Sequence, residues 1–189
     1  LRPSKLCNLK CRSCNSNWSN KIEKEVLENP EIQGWTHWDN VTRSEISRKR
    51  AERIDWEDPN YDIISSLDMK NVRWLKISGG ETLLDPNIFK IFTKLVENDY
   101  AKDLKLHIIT NGTVFSDDLK SILKHFKHVR FNLSIDSIGE DEEFLRHGTI
   151  WSKKIKIIND LFEVGDVGIL CTMQPIVLMK IQKITEFFL

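Results

Sequence analysis

From residue 72 to the end, β-rich runs alternate with helical patterns, and each run closes on turn or polar residues. VRWLKIS (72–78) ends in Gly79-Gly80, LKLHIIT (104–110) in Asn111-Gly112, VRFNLSID (129–136) at Ser137 to Gly139, and VGILCTMQ (167–174) at Pro175. Between them lie helical patterns. Asp85 is placed to cap the first, with Pro86 at its first position and Ile88, Ile91, Phe92, Leu95 and Val96 on one face. Ser116 caps the second, which runs to Phe126, and Gly165 stops the third, KKIKIINDLFEV (153–164). Residues 178–188 read as a fourth. Crossovers of this length return each strand parallel to the one before. If residues 1–3 are the tail of a first strand, the chain holds five. Periodicity leaves two architectures open, a flat doubly wound sheet and an incomplete barrel. In both, ligand chemistry gathers at the carboxyl ends of the strands.

Residues 15–70 read as irregular, apart from TRSEISRKRAERI, a helix with Thr42 and Glu45 spaced as a capping box. The 189 residues are 40% apolar and carry 28 basic and 28 acidic side chains, so the formal charge is zero. A globular domain is within reach, and the basic excess of a generic nucleic-acid binder is missing. The basic run at 47–53 reads as a solvated helix face among Glu45, Glu52 and Asp55, with a nucleic-acid patch as the minor alternative. No apolar run reaches the length of a membrane span, and no signal peptide is visible. Clustered thiols suit a reducing compartment, so a cytoplasmic setting is expected.

Three of the four cysteines fall within CNLKCRSC, at Cys7, Cys11 and Cys14, and the fourth, Cys171, sits within an apolar strand pattern. Cys171 reads as a small core residue. The other three lie among Asn8, Lys10, Arg12, Ser13 and Asn15, a setting too polar for a core. A disulfide framework wants an even count and a secreted context. Structural zinc wants four ligands, and His37 as a fourth lacks the paired spacing. An iron–sulfur cluster normally takes four thiolates. Three would leave one metal position open for a substrate or cofactor, as catalytic zinc sites keep one position free.

The C-x3-C-x2-C spacing at Cys7, Cys11 and Cys14 resembles the signature of the radical S-adenosylmethionine (radical SAM) superfamily. LRPSKLCNLKCRSCN further resembles its twitch-domain members. The resemblance implies a parallel (β/α) partial TIM barrel, here of about five βα units, spanning 1–189 as one core domain. The sixth unit and any C-terminal auxiliary-cluster domain are missing, so the chain is expected to be a fragment. It also implies a [4Fe–4S] cluster on the three cysteines, whose fourth iron takes the amino and carboxylate groups of SAM. SGGET (78–82) is similar to the family's Gly-Gly-Glu motif, which implies that Gly79, Gly80 and Glu81 hold the methionyl amine. Thr110 and Asn111 of TNG would face the SAM pocket. Ser134 and Asp136 of SID would serve the ribose or carboxylate, and Arg146 of FLRHG would pair with the methionyl carboxylate.

Three departures stand out. Ser13 precedes the third cysteine where the family often has an aromatic residue, so Trp18 is a candidate for adenine stacking; Thr82 follows the Glu where Pro is common; and the sixth unit is absent.

The implied activity is reductive cleavage of SAM to a 5′-deoxyadenosyl radical that abstracts hydrogen from a substrate. A one-electron donor such as flavodoxin or ferredoxin would drive it. A peptide or protein is the first expectation for the substrate, with carbohydrates and nucleotides open. Gln174 is a candidate substrate contact, and the Trp35 to Trp56 stretch a candidate lid or docking surface. Two other readings are a non-catalytic zinc- or cluster-binding interaction module and an inactive fold relative.

Overall fold

The computed structural model describes residues 1–29 and 68–188. The helix expected around Thr42 and Glu45, the basic run, His37, Trp35, Trp38 and Trp56 lie outside the described residues.

The alternating half folds as the pattern predicts. Strands β2 (Trp74–Ile77), β3 (Lys105–Thr110), β4 (His128–Ser134) and β6 (Asp166–Leu170) form one parallel sheet in the order β2-β3-β4-β6. In register, Ile77 faces Ile108, Ile108 faces Phe131, and Phe131 faces Val167. Alternation along each strand gives the sheet two unlike faces. Leu106, Ile108, Val129, Phe131 and Leu133 are buried and join the core. His107, Arg130, Asn132 and Ser134, on the alternate positions, are exposed or half-buried.

The helices close the apolar face. In α2 (Pro86–Glu97), Ile88, Ile91, Phe92 and Leu95 enter the core. In α3 (Asp117–Leu123) it is Leu119 and Leu123, and in α5 (Trp151–Phe162) Ile158 and Leu161. The caps are those the sequence points to. The Asp85 carboxylate accepts from Asn87 N at 2.9 Å, and Ser116 Oγ accepts from Leu119 N at 3.3 Å. Gly165 lies so near the Val129 carbonyl that a Cβ would collide with it. The last helix, α6, spans Pro175–Phe188, three residues longer at its start than expected. No described helix is long and apolar enough to cross a membrane.

The structure corrects four details. Residues 1–3 are not a regular strand, since Pro3 has no N–H to donate. They nevertheless run beside β2: Leu1 N donates to Lys76 O at 2.7 Å, and Ser78 N to Leu1 O at 3.0 Å. Strand β6 ends at Leu170 rather than 174, because Asp136 Oδ1 captures Thr172 N at 2.7 Å and draws the chain out of the ladder. Cys171 is therefore not a core strand residue; it is half-buried just past the strand, its Sγ 3.8 Å from Asp136 O. The stretch called irregular contains α1 (Asn20–Glu28), capped by Ser19, whose hydroxyl accepts from Ile22 N. Helix α4 (Glu140–Leu145) and the two-residue strands β1 (Lys10–Cys11) and β5 (Arg146–His147) had no counterpart in the sequence reading.

Candidate functional site: three thiols at the strand ends

The cysteine loop is held against the sheet mouth from several sides. Gly79 and Gly80 follow β2, and a Cβ on Gly80 would overlap the carbonyl oxygens of Lys5 and Leu6. Two glycines here let the segment before Cys7 lie directly on the β2 turn. Glu81 N donates to Leu6 O at 2.6 Å. Asn20 at the start of α1 accepts Cys7 N on its side-chain oxygen at 2.9 Å, and Lys5 forms a buried ion pair with Glu23. Asn111 Nδ2 donates to Asn8 Oδ1 at 3.0 Å, and Asn8 Nδ2 to Thr113 Oγ1 at 2.8 Å. On the far side, β1 pairs antiparallel with β5, which sets Cys11 opposite Arg146.

Around this loop lies a cavity of about 450 Å³. Cys7, Cys11 and Cys14 all line it, with Ser13, Asn15 and Trp18 from the same stretch. The sheet contributes Gly80, Thr110, Asn111 and Ser134, and the remaining wall includes Ile109, Arg146 and Thr172. Eight of the residues predicted from motifs thus meet at one cavity: the three cysteines, Gly80, Thr110, Asn111, Ser134 and Arg146. Gly79, Glu81 and Asp136 sit one layer behind. Gln174 is not part of the lining, and its Nε2 is buried without a hydrogen-bond partner among the described residues.

Glu81 is almost wholly buried, at 1% exposure, and its carboxylate is engaged with the chain itself. Oε1 accepts from Thr110 Oγ1 at 2.6 Å and from Leu83 N at 3.1 Å, and Oε2 accepts from Asn111 N at 2.6 Å. It ties the end of β2 to the end of β3. Burial pushes its pKa up, opposed by these hydrogen bonds.

Asp136 and Arg146 belong to a second buried group. Arg146 is buried, at 8% exposure. Its Nε lies 3.0 Å from Asp136 Oδ2 without an aligned hydrogen bond, and its Nη1 is 3.7 Å from Cys11 Sγ. Glu142 and Lys154 stand behind it, with Nζ and Oε1 2.6 Å apart and both side chains at 0% exposure. Neither was singled out from sequence. Lys154 did leave a signal: it lies four and seven residues before the core positions Ile158 and Leu161, on the buried stripe of its helix.

Burial disfavours the thiolate form of Cys7 and Cys11. None of the four cysteines is in a disulfide. Burial pushes the Cys7 thiol up, and pushes Cys11 to about 12 against the opposing pull of Arg146. Such groups ionise on coordinating metal, with release of protons. Among the described residues no three His, Cys, Asp or Glu side chains converge on a single point. Three thiols around a cavity of this size, beside a buried guanidinium, fit a multi-metal cluster with room for a second, charged ligand. Trp18 is 47% exposed on the cavity, and the Arg2 guanidinium lies 3.6 Å from its ring centroid, so one indole face is already covered.

Comparison with known proteins agrees with this geometry. The chain is 31% identical over 117 residues to a GTP 3′,8-cyclase of Aliarcobacter butzleri, covering 61% of this chain and 35% of that one. It is 37% identical over 70 residues to the GTP 3′,8-cyclase of Desulforamulus reducens, covering 37% of this chain and 21% of that one. The chain thus spans about a third or less of these curated relatives. Among solved structures, it superposes on native anSMEcpe with bound AdoMet with a TM-score of 0.60 at 19% identity, covering 99% of this chain and 47% of that one. SuiB of Streptococcus suis gives a TM-score of 0.53 at 19% identity, covering 98% and 35%. Both likenesses are of fold, which here is α/β with a four-stranded parallel sheet consistent with a partial barrel. Residues 1–187 match the Radical SAM superfamily. The chain belongs to that superfamily, whose members are enzymes using a [4Fe–4S] cluster together with S-adenosylmethionine.

Proposed function

We propose that residues 1–189 form the core of a radical SAM enzyme, nearest in type to the twitch-domain members and working in the cytoplasm. One observation carries this reading: Cys7, Cys11 and Cys14 line the same cavity as the ends of β2, β3 and β4. Cys7, Cys11 and Cys14 hold the cluster. The backbone of Gly80 receives the methionyl amine, with Gly79 and Glu81 behind it and Glu81 bracing Thr110 and Asn111. Ser134 serves the ribose or carboxylate end, and Arg146 supplies positive charge for the carboxylate, with the fully buried Asp136 behind it as its partner rather than a direct contact. When bound, the reduced cluster and SAM together supply a 5′-deoxyadenosyl radical for hydrogen abstraction. The chain binds, orients and shields that chemistry from water. The electron comes from a small donor protein such as flavodoxin or ferredoxin.

For the substrate we favour a peptide or protein, in line with the fold neighbour described as native anSMEcpe with bound AdoMet and Kp18Cys peptide. A second reading is a nucleotide, favoured by the two GTP 3′,8-cyclase relatives. The test is anaerobic reconstitution with iron and sulfide, reduction, and assay of 5′-deoxyadenosine with SAM plus either GTP or cysteine-containing peptides. Formation of 5′-deoxyadenosine is the expected result, and stimulation by one substrate class assigns it. A loaded, reduced protein that leaves SAM intact under every condition contradicts the enzyme reading.

Trp18 carries a separate expectation. Its uncovered face is a platform for the adenine ring, and base–aromatic stacking is worth about 1–3 kcal/mol. Trp18→Ala should therefore weaken SAM binding about tenfold, read by equilibrium dialysis of labelled SAM against the loaded protein, with Trp18→Phe close to the unaltered chain. Equal affinity in all three removes Trp18 from the adenine site.

A further inference from the structure

The buried group that reaches the cavity through Arg146 contains two acids and two bases, Asp136, Glu142, Arg146 and Lys154, so its charges balance. Its hydrogen bonds are divided unequally. Glu142 Oε2 accepts from the backbone N–H groups of Asp136 and Ser137, both at 2.9 Å. Glu142 Oε1 faces two cations: Lys154 Nζ at 2.6 Å and Arg146 Nε at 3.7 Å. Lys154 is the nearer and takes that oxygen, while its Nζ also donates to Ser134 O at 2.9 Å. Arg146 is left to Asp136 at 3.0 Å and to the Cys11 sulfur at 3.7 Å.

We propose that the Glu142–Lys154 pair is a positioning device that keeps the Arg146 guanidinium beside the Cys11 sulfur and so sets how readily a cluster on that thiolate accepts an electron. Net charge and hydrogen bonds to the sulfurs are what tune the potential of an iron–sulfur centre. A cation at Cys11 favours the reduced state, which carries one more negative charge. Without the Lys154 charge, Glu142 Oε1 has Arg146 as its nearest cation, and the guanidinium is drawn off the sulfur. Both the added negative charge and the lost N–H···S contact then disfavour reduction. Without the Glu142 charge the site gains net positive charge, and reduction becomes easier. With both charges removed the balance returns.

The inference rests on the cluster reading above, and its test separates the two. The reconstituted protein, Lys154→Met, Glu142→Gln and the double variant are titrated anaerobically with dithionite through redox mediators, and the reduced cluster is followed by electron paramagnetic resonance. At a fixed potential, Lys154→Met should lower the reduced-to-oxidised ratio about tenfold, a shift of about 59 mV for one electron. Glu142→Gln should raise it by a similar factor, and the double variant should return near the starting value. Shifts of the same sign, or potentials that coincide, overturn the proposal. On an Arg146→Gln background the two single substitutions should shift the potential less; undiminished shifts show that the buried charges act on the cluster directly and not through Arg146, which also overturns it. If Lys154→Met does not fold, the position of Glu142→Gln relative to the double variant decides. Failure of the unaltered protein to take up iron and sulfide removes the cluster reading and this one together; normal uptake with unmoved potentials removes this one alone.

Discussion

Replacing Cys7, Cys11 or Cys14 by Ala leaves the reconstituted protein without a stable cluster, whereas Cys171→Ala loads normally. The expectation follows from where the four sulfurs lie. Three line one cavity, on a loop pinned by α1, by the glycine turn after β2 and by the β1–β5 pairing. The fourth sits past the end of β6, its Sγ directed at the Asp136 carbonyl. Removing one of three donors leaves two for a cube of four irons. Loss of a partner merely behind the ligands typically costs 10–100-fold in metal affinity, so loss of a ligand should cost at least about that much. Iron and acid-labile sulfide per chain provide the measurement, with circular dichroism to show that each variant is folded. Full iron and sulfide in any of the three Ala variants would take that residue out of the donor set. Equivalent zinc without sulfide in the unaltered protein would favour the interaction-module reading instead.

What the sequence disclosed and what it hid divide along a physical line. The β2-α2-β3-α3-β4 succession, the Asp85–Pro86 and Ser116 helix starts and the turn at Gly112, with φ of 70°, are all governed by local rules: periodicity, capping and backbone freedom. The strand ends were legible as the place for a site because a parallel sheet brings them together wherever they fall in the chain, while the individual residues there were named through the resemblance of their motifs to the family's. The pairing of β1 with β5 joins residues more than a hundred positions apart over two residues each, too short to leave any period. It is this pairing that makes Arg146 a buried neighbour of Cys11. Glu142 was hidden among Glu140, Asp141 and Glu143, where composition favours a solvated helix start and nothing marks which acid turns inward. Cys171 and the end of β6 were misjudged for a related reason: apolar alternation continues through GILCTM, while the side chain that ends the strand, Asp136, belongs to another element.

Glu81→Ala should destabilise the protein before any cofactor is added, by about 3–5 kcal/mol. The carboxylate holds three donors, Thr110 Oγ1, Asn111 N and Leu83 N, and it is buried at 1% exposure. Deleting it strands those donors away from water, and each buried unsatisfied group costs about 1–3 kcal/mol. Partial relaxation keeps the total below their sum. A loss of this size is a large part of the about 5–15 kcal/mol that holds a domain together. Glu81→Gln keeps one acceptor oxygen but turns an amide N–H2 toward a donor, so its loss should fall in between. The readout is urea denaturation of the cluster-free protein, in which an unchanged slope with a lowered midpoint marks lost stability. If Glu81 acted on the methionyl amine alone, Glu81→Ala would melt like the unaltered protein without SAM and differ only in SAM affinity. A brace between β2 and β3 predicts the reverse order of detection: a stability loss first in the cluster-free chain, then a weakened SAM site, because Thr110 and Asn111 at the cavity wall no longer have their anchor.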